Sequence, residues 1–111
     1  MKTAKLKMSD GKTKGCGVLS LQGNLSLDNI EQVVHFFREA VGKYKRLSVE
    51  LKEVNAIDLG FLQLLWSLEN DMHEKGEGLE VKMVLPDELE QLLRNTGFSR
   101  WLGSAASATK Q

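Results

Sequence analysis

The sequence has little of several features that mark large classes of protein. It contains one cysteine, Cys16, which excludes an internal disulfide and, by itself, a thiol metal site. Its 15 basic and 15 acidic residues cancel and form no block of one sign. Nucleic acids and anionic membranes are bound by basic patches, so this balance predicts no nucleic-acid partner.

Long apolar runs are also missing. The segment from Met1 to Met8 carries three lysines but no apolar run follows it, so we predict no signal peptide. No stretch is long enough to span a bilayer, which predicts no membrane insertion. Together with the single cysteine, these absences predict a cytoplasmic protein.

The apolar content is enough for one compact core. The chain has 111 residues, of which 41% are hydrophobic, and a second independent domain would be too small to be stable. We therefore expect one domain over residues 1–103. Residues 104–111 are small and polar, which predicts a flexible C-terminal tail.

Alternation of apolar and polar residues predicts four strands. Residues 4–8 alternate, Asp10-Gly11 supplies a turn, and an apolar run follows over residues 18–21, which together predict a hairpin. Residues 47–52 and 79–85 alternate in the same way. Strands covered on both faces are usually continuously apolar, so one face of this sheet is predicted to be polar.

Three segments show helical spacing instead. Residues 30–41 place apolar side chains three and four apart, as in an amphipathic helix. A second helix is predicted over Leu59–Lys75, ending at Gly76, and a third has Pro86 at its first position and ends at Gly97. Residues 98–102 are predicted to fold back on the core.

The predicted fold is a two-layer α/β domain of order β-β-α-β-α-β-α. Its four-stranded mixed sheet carries three helices packed on one face. The strand–helix–strand order occurs twice, which implies parallel pairing with right-handed connections. A three-layer nucleotide-binding fold is disfavoured, because its strands would be apolar on both faces.

The side chains that could carry chemistry do not converge. An enzyme needs titratable groups within hydrogen-bond reach of one another, whereas His35 and His73 are both predicted on the surface. Cys16 is predicted to be small core filler. We therefore predict no catalytic residue, no metal site and no cofactor. Three glycines precede a strand rather than open a helix, which indicates turns and not a phosphate loop: Gly11, Gly15 and Gly17.

The segment from Ile57 to Leu65 is the most informative part of the sequence. An aspartate at the start of a helix, followed by small residues and a leucine-rich helix, resembles the STAS domain of anti-sigma-factor antagonists and sulfate transporters. Leu21–Leu25, Leu51–Ile57 and Thr96–Phe98 resemble further motifs of that family in the same order. The resemblance covers residues 15–102 and implies a STAS-like fold with a non-catalytic, protein-binding function.

Two positions depart from the family pattern. The family usually has Ser or Thr after the aspartate, where a partner kinase phosphorylates it, and a glycine two residues later. This chain has Leu59 and Phe61 at those positions. Leu59 has no oxygen to accept a phosphoryl group, so the resemblance implies a module that lacks the usual phosphorylation switch.

The second predicted helix is apolar on two sides. One stripe should cover the sheet: Phe61, Leu64, Leu65, Leu68 and Met72. The other stripe, through Leu59, Leu62 and Trp66, either contacts neighbouring helices or forms a partner-facing patch with an exposed Trp66. Asp58 is either a helix cap alone or a cap that also contacts a partner. The predicted partner-binding residues are Asp58, Leu59, Gly60, Leu62 and Trp66.

The resemblance leaves three functions open. The leading one is an anti-sigma-factor antagonist that binds an anti-sigma factor or kinase-like protein. The second is an accessory STAS subunit of a transporter or chemotaxis assembly. The third is a small-ligand or nucleotide carrier that uses the strand ends near Gly23 and Asp58, and it is disfavoured because no polar cluster for a ligand is visible. The sequence does not indicate an oligomeric state.

Overall fold

The computed structural model describes residues 3–102. The predicted order β-β-α-β-α-β-α is confirmed, with a single 3₁₀ turn, Leu27–Asn29, before the first helix. The predicted tail over residues 104–111 and the predicted domain end at Gly103 lie outside the described residues. The elements are β1 (Ala4–Asp10), β2 (Cys16–Leu25), α1 (Ile30–Lys43), β3 (Arg46–Ile57), α2 (Leu59–Glu74), β4 (Gly78–Met83) and α3 (Asp87–Thr96).

The four strands form one mixed sheet in the order β1-β2-β3-β4. β1 pairs antiparallel with β2, which confirms the predicted hairpin, while β3 pairs parallel with both β2 and β4. Near their ends, Leu25 of β2 is the register partner of Ile57 of β3. The loops that leave these two strands toward α1 and α2 therefore start side by side.

The sheet has one buried and one open face, as the alternation predicted. Leu19 and Leu21 of β2 are completely buried, and so is Val49, the partner of Leu19 in β3. Ser20 and Glu50 pair with each other between these positions and are only partly covered. Because side chains alternate along a strand, the helices lie on the face that carries the leucines.

α1 and α2 supply most of the second layer. Leu64, predicted for the core stripe of α2, is only half-buried. The other members of that predicted stripe are in the core. The buried residues of α1 are Val33, Phe36, Phe37 and Ala40. Those of α2 are Phe61, Leu62, Leu65, Leu68 and Met72.

α3 begins one residue later than predicted. Pro86 occupies the N-cap position rather than the first helical position, and its carbonyl accepts the N–H groups of Leu89 and Glu90, both at 3.0 Å. The helix ends at Gly97, whose φ of 88° is in the left-handed region, as predicted. Trp101 and Leu102 then fold back into the core.

Gly17 lies inside β2 and is not a turn residue, contrary to the prediction. A β-carbon at Gly17 would overlap the ring of Tyr44, which follows α1 and lies against the strand. The Tyr44 hydroxyl donates a hydrogen bond of 2.6 Å to Oδ1 of Asp10 at the end of β1. This hydrogen bond, together with burial and the negative charge of Asp10, raises the pKa of Tyr44 above its ordinary value of 10.0.

Candidate functional site

The start of α2 is built around Asp58. Its backbone is extended, at φ −130° and ψ 176°, so its side chain can turn back over the first helical turn. Oδ1 accepts the backbone N–H of Phe61 at 3.1 Å, which confirms the predicted helix cap. Oδ2 accepts the backbone N–H of Leu27 at 2.7 Å. Both carboxylate oxygens of Asp58 therefore have hydrogen-bond partners within the chain.

Leu59 and Trp66 form an exposed apolar stripe on α2. Leu59 is 45% exposed and Trp66 is 48% exposed, so of the two alternatives for the tryptophan the structure has the exposed one. The two residues are two helical turns apart and so share one side of the helix. Gln63, between them on the same side, is also exposed. Within residues 3–102, α2 thus has an apolar surface that faces solvent.

Leu62 does not belong to the exposed stripe, which corrects the sequence-based grouping. Its side chain is completely buried. Leu62 and Glu69 share a side of α2, and Glu69 binds the C-terminal segment: it accepts the indole N–H of Trp101 at 3.3 Å and pairs with Arg100. The interpretation as core is therefore right for Leu62, whereas Trp66 faces solvent.

Leu27 adds a second exposed apolar side chain beside the first turn of α2. It is 66% exposed and belongs to the 3₁₀ turn that follows β2. A β-carbon on Gly60 would lie 3.2 Å from Cδ2 of Leu27, so the half-buried Gly60 leaves room for this leucine. No sequence pattern predicted Leu27, because a leucine in a short turn follows neither strand nor helix periodicity.

The polar groups at the end of β2 bind one another. Asn24 is the buried polar residue here, and its Oδ1 accepts the backbone N–H of Ser26 at 3.0 Å. The Ser26 hydroxyl also bonds to this oxygen, and the backbone carbonyl of Asn24 accepts the side-chain amide of Asn29 at 2.9 Å. These bonds fix the turn that carries Leu27.

The two histidines and the cysteine lie apart from this surface. His35 and His73 are exposed, as predicted, while Cys16 is a free, half-buried thiol at the start of β2 rather than a core residue. In the described range, no three His, Cys, Asp or Glu side chains lie close enough together to hold a metal ion. None of the helices over residues 3–102 has the length and apolar character needed to cross a membrane.

The family follows from a match between this chain and a known domain model. Residues 8–104 match the model described as Mlab, STAS domain. Because the match covers most of the chain, the protein belongs to the STAS domain family. The resemblance drawn from the sequence motifs is thereby confirmed. A comparison with curated protein sequences found no match.

Three solved structures share the fold at low sequence identity. An anti-sigma factor antagonist from Mycobacterium paratuberculosis superimposes with a TM-score of 0.74 and 17% identity, covering 99% of this chain and 97% of that one. The anti-sigma factor antagonist SpoIIAA in its unphosphorylated form gives a TM-score of 0.69 and 13% identity, covering 87% of this chain and 84% of that one. Phosphorylated SpoIIAA, a Bacillus cell fate determinant, gives a TM-score of 0.65 and 12% identity, covering 96% of this chain and 100% of that one.

Proposed function

We propose that this protein is a non-catalytic regulatory module that binds another protein through the exposed stripe of α2. The observation that carries the proposal is the exposure of Leu59 and Trp66 on a helix that already supplies five residues to the core. Exposed aromatic and aliphatic side chains are typical anchors of protein interfaces. The similar structures are anti-sigma factor antagonists, which supports an anti-sigma factor or kinase-like protein as the partner.

Binding at this surface does not depend on phosphorylation of the residue after Asp58. Leu59 is the first residue of α2 and stands where the resemblance to the family places a phosphorylated Ser or Thr. A phosphate there would add about two negative charges at a helix N-terminus and change the surface from apolar to anionic. With leucine, the surface remains apolar, so binding is constitutive.

A second candidate function is that of an accessory subunit in a transporter or chemotaxis assembly. It is favoured by the same apolar surface, which has leucine in place of a residue that can be phosphorylated. Such a surface suits a permanent contact better than a regulated one. A stable stoichiometric complex that copurifies with the protein would support this alternative. A partner that dissociates readily and competes with a sigma factor would support the antagonist.

The main experiment places a photo-crosslinking amino acid, p-benzoylphenylalanine, at position 66 in the native host and identifies the captured protein. With that partner purified, Leu59→Ser and Trp66→Ala should each weaken binding by about tenfold or more in calorimetry. Val84→Ser is the matched control, because Val84 is 72% exposed but lies beside Leu51, roughly 20 Å along β3 from the start of α2. Equal affinity of the three variants and the unmodified protein would contradict the proposal.

Independence from phosphorylation is tested with a surrogate anti-sigma kinase and ATP. The unmodified protein should gain no phosphate by mass spectrometry, whereas a Leu59→Ser variant should gain one at position 59. Phosphate on Ser26, Ser48 or Ser67 of the unmodified protein would move the switch to another site. A Leu59→Ser variant that gains no phosphate would argue against the alignment of position 59 with the family's phosphorylated residue.

A further inference from the structure

The loop between β1 and β2 lies against the connection between α1 and β3. The carbonyl of Gly15 in the loop accepts the backbone N–H groups of Lys45 and Arg46, at 2.8 Å and 3.2 Å. Both lysines of the loop and Lys43 border one cavity between the two segments. Together the segments carry five exposed basic residues, here called the basic end: Lys12, Lys14, Lys43, Lys45 and Arg46. The fold thus assembles a basic surface from segments that are distant in the sequence.

The charge of the basic end is not neutralised within the described part of the chain. Both ion pairs over residues 3–102 lie elsewhere, in α3 and between α2 and the C-terminal segment. Asp10 borders the same cavity, but its carboxylate accepts the hydroxyl of Tyr44. Beyond β3, the connection to β4 carries Lys75 between Glu74 and Glu77, so the basic surface stops there. Because the whole chain is neutral, the rest of it is net acidic.

The opposite end of the sheet carries the opposite charge. β3 runs 12 residues from the basic end to the start of α2, so the two ends lie roughly 35 Å apart. Residues 24–34 and 53–61 form or adjoin the far end and contain acids but no basic residue: Asp28, Glu31, Glu53 and Asp58. Because this separation is several Debye lengths, the two ends do not neutralise each other. An anionic surface would therefore attract one end of the molecule and repel the other.

The basic end lacks the side chains that more specific partners need. The exposed large apolar residues of the described chain all lie elsewhere: Leu27, Leu59, Trp66 and Val84. Tyr44 is only 7% exposed, so its ring is not open for stacking on a nucleic-acid base. A protein interface needs an apolar core inside its polar rim. An anionic bilayer needs neither, because it attracts clustered Lys and Arg by charge alone.

We propose that the basic end binds the surface of an anionic lipid bilayer without inserting into it. The anionic headgroups attract the ammonium and guanidinium groups of the five side chains. Contact at this end directs the start of α2 away from the bilayer, because β3 separates the two ends. The inference does not depend on the proposed function of α2, since the two surfaces share no residue.

Cosedimentation with lipid vesicles tests the proposal on the unmodified protein. The protein should bind vesicles of phosphatidylcholine with about 30% phosphatidylserine, and not vesicles of phosphatidylcholine alone. Raising the salt from about 0.05 M to about 0.5 M should release it, because exposed charges make the contact. Equal binding to both lipids, or no binding to the anionic vesicles at the lower salt, would overturn the proposal. Binding to duplex DNA but not to these vesicles would also overturn it and assign the basic end to nucleic acid.

Paired substitutions locate the contact on the protein. Each Lys near an anionic membrane strengthens binding by roughly fivefold, so Lys12→Gln/Lys14→Gln should weaken vesicle binding by about twentyfold. Lys43→Gln/Lys45→Gln should do the same from the other segment. Binding that neither pair weakens would overturn the proposal.

The matched control is Lys5→Gln/Lys52→Gln, which removes the same charge from the open face of the sheet. Both lysines are exposed and border one cavity on that face. Lys52 lies roughly 20 Å along β3 from Arg46, so this variant should weaken binding by less than about threefold. A loss as large as that of the other pairs would show a response to net charge, or a contact on the sheet face, and would overturn the proposal.

Two native side chains report which end faces the bilayer. Cys16 is the single cysteine and borders the cavity of the basic end, whereas Trp66 is exposed on α2. Anionic vesicles should slow the reaction of Cys16 with a water-soluble maleimide and leave acrylamide quenching of Trp66 unchanged. Protection of Trp66 with no protection of Cys16 would place the bilayer at the wrong end and overturn the proposal.

Discussion

α1 and α2 cover the same face of the sheet but use their apolar residues differently. Among the described residues, every large apolar side chain of α1 is buried or half-buried, and the outward positions carry residues such as His35, Arg38 and Glu39. α2 buries five residues and still exposes Leu59 and Trp66. This difference between the two helices is the basis of the docking surface proposed for α2.

The strongest test of this comparison removes one buried aromatic from each helix. Phe37 of α1 and Phe61 of α2 are both in the core, so Phe37→Ala and Phe61→Ala should each lower the free energy of unfolding by about 3–5 kcal/mol in urea titrations. The denaturant slope should not change. A loss below about 1 kcal/mol in either helix would show that its core stripe is not well packed.

A smaller loss in the free energy of unfolding is expected from substitutions at the start of α2. Asp58→Ala removes the cap and the bond to Leu27, and should cost about 1–2 kcal/mol in the same titration. Asp58→Asn keeps the cap, so it should cost less than the alanine variant. If the two variants were equally unstable, the cap would not be the main contribution of Asp58 to stability.

The end of α1 provides a pH-dependent test. The folded protein raises the pKa of Tyr44, chiefly through the hydrogen bond to Asp10, so the folded state holds the phenolic proton more tightly than the unfolded state. This contribution to stability is complete below about pH 10 and is lost as the pH rises through the raised pKa. Tyr44→Phe should therefore show a shallower fall in melting temperature above about pH 10 than the unmodified protein.

The Asp10→Asn variant is the control for this pH dependence. It removes the negative charge and should also reduce the fall in melting temperature, although the tyrosine is still present. Identical alkaline profiles for the unmodified protein and Tyr44→Phe would mean that Tyr44 does not contribute to the loss of stability.

The smallest effect on stability is expected from the exposed stripe. Trp66→Ala and Leu59→Ser should each change the free energy of unfolding by less than about 0.5 kcal/mol, although Trp66→Ala removes more atoms than Phe37→Ala. Urea titrations of all three variants make the comparison direct. A loss of several kcal/mol for Trp66→Ala would place this residue in the core and remove the basis for the docking surface.

Much of the fold could be predicted because local patterns determine it. The alternation in the strands, the helical spacing and the left-handed glycine at Gly97 each depend on neighbours in the sequence. The cap at Asp58 was predictable for the same reason. Trp66 was recognised as a candidate for exposure, since a helix with two apolar stripes has more apolar surface than one sheet face can cover.

The missed features depend on residues that are distant in the sequence. The bond from Leu27 to Asp58 spans 31 residues, and the bond from Tyr44 to Asp10 spans 34. Leu62 was grouped with Trp66 because a helical wheel shows the side of a helix but not which neighbours cover it. Gly17 was assigned to a turn because nothing local indicates that the Tyr44 ring lies over it.

The two tryptophans have different surroundings, so their fluorescence can report separately on unfolding of the chain and on binding of a protein to α2. Trp101 is buried and stacks on Phe98 with ring centroids 5.1 Å apart, so its emission should change when the chain unfolds. Trp66 is open to a quencher such as acrylamide, and a protein bound to α2 would shield it. Unlabelled samples can therefore distinguish a partner that docks on the folded domain from one that opens it.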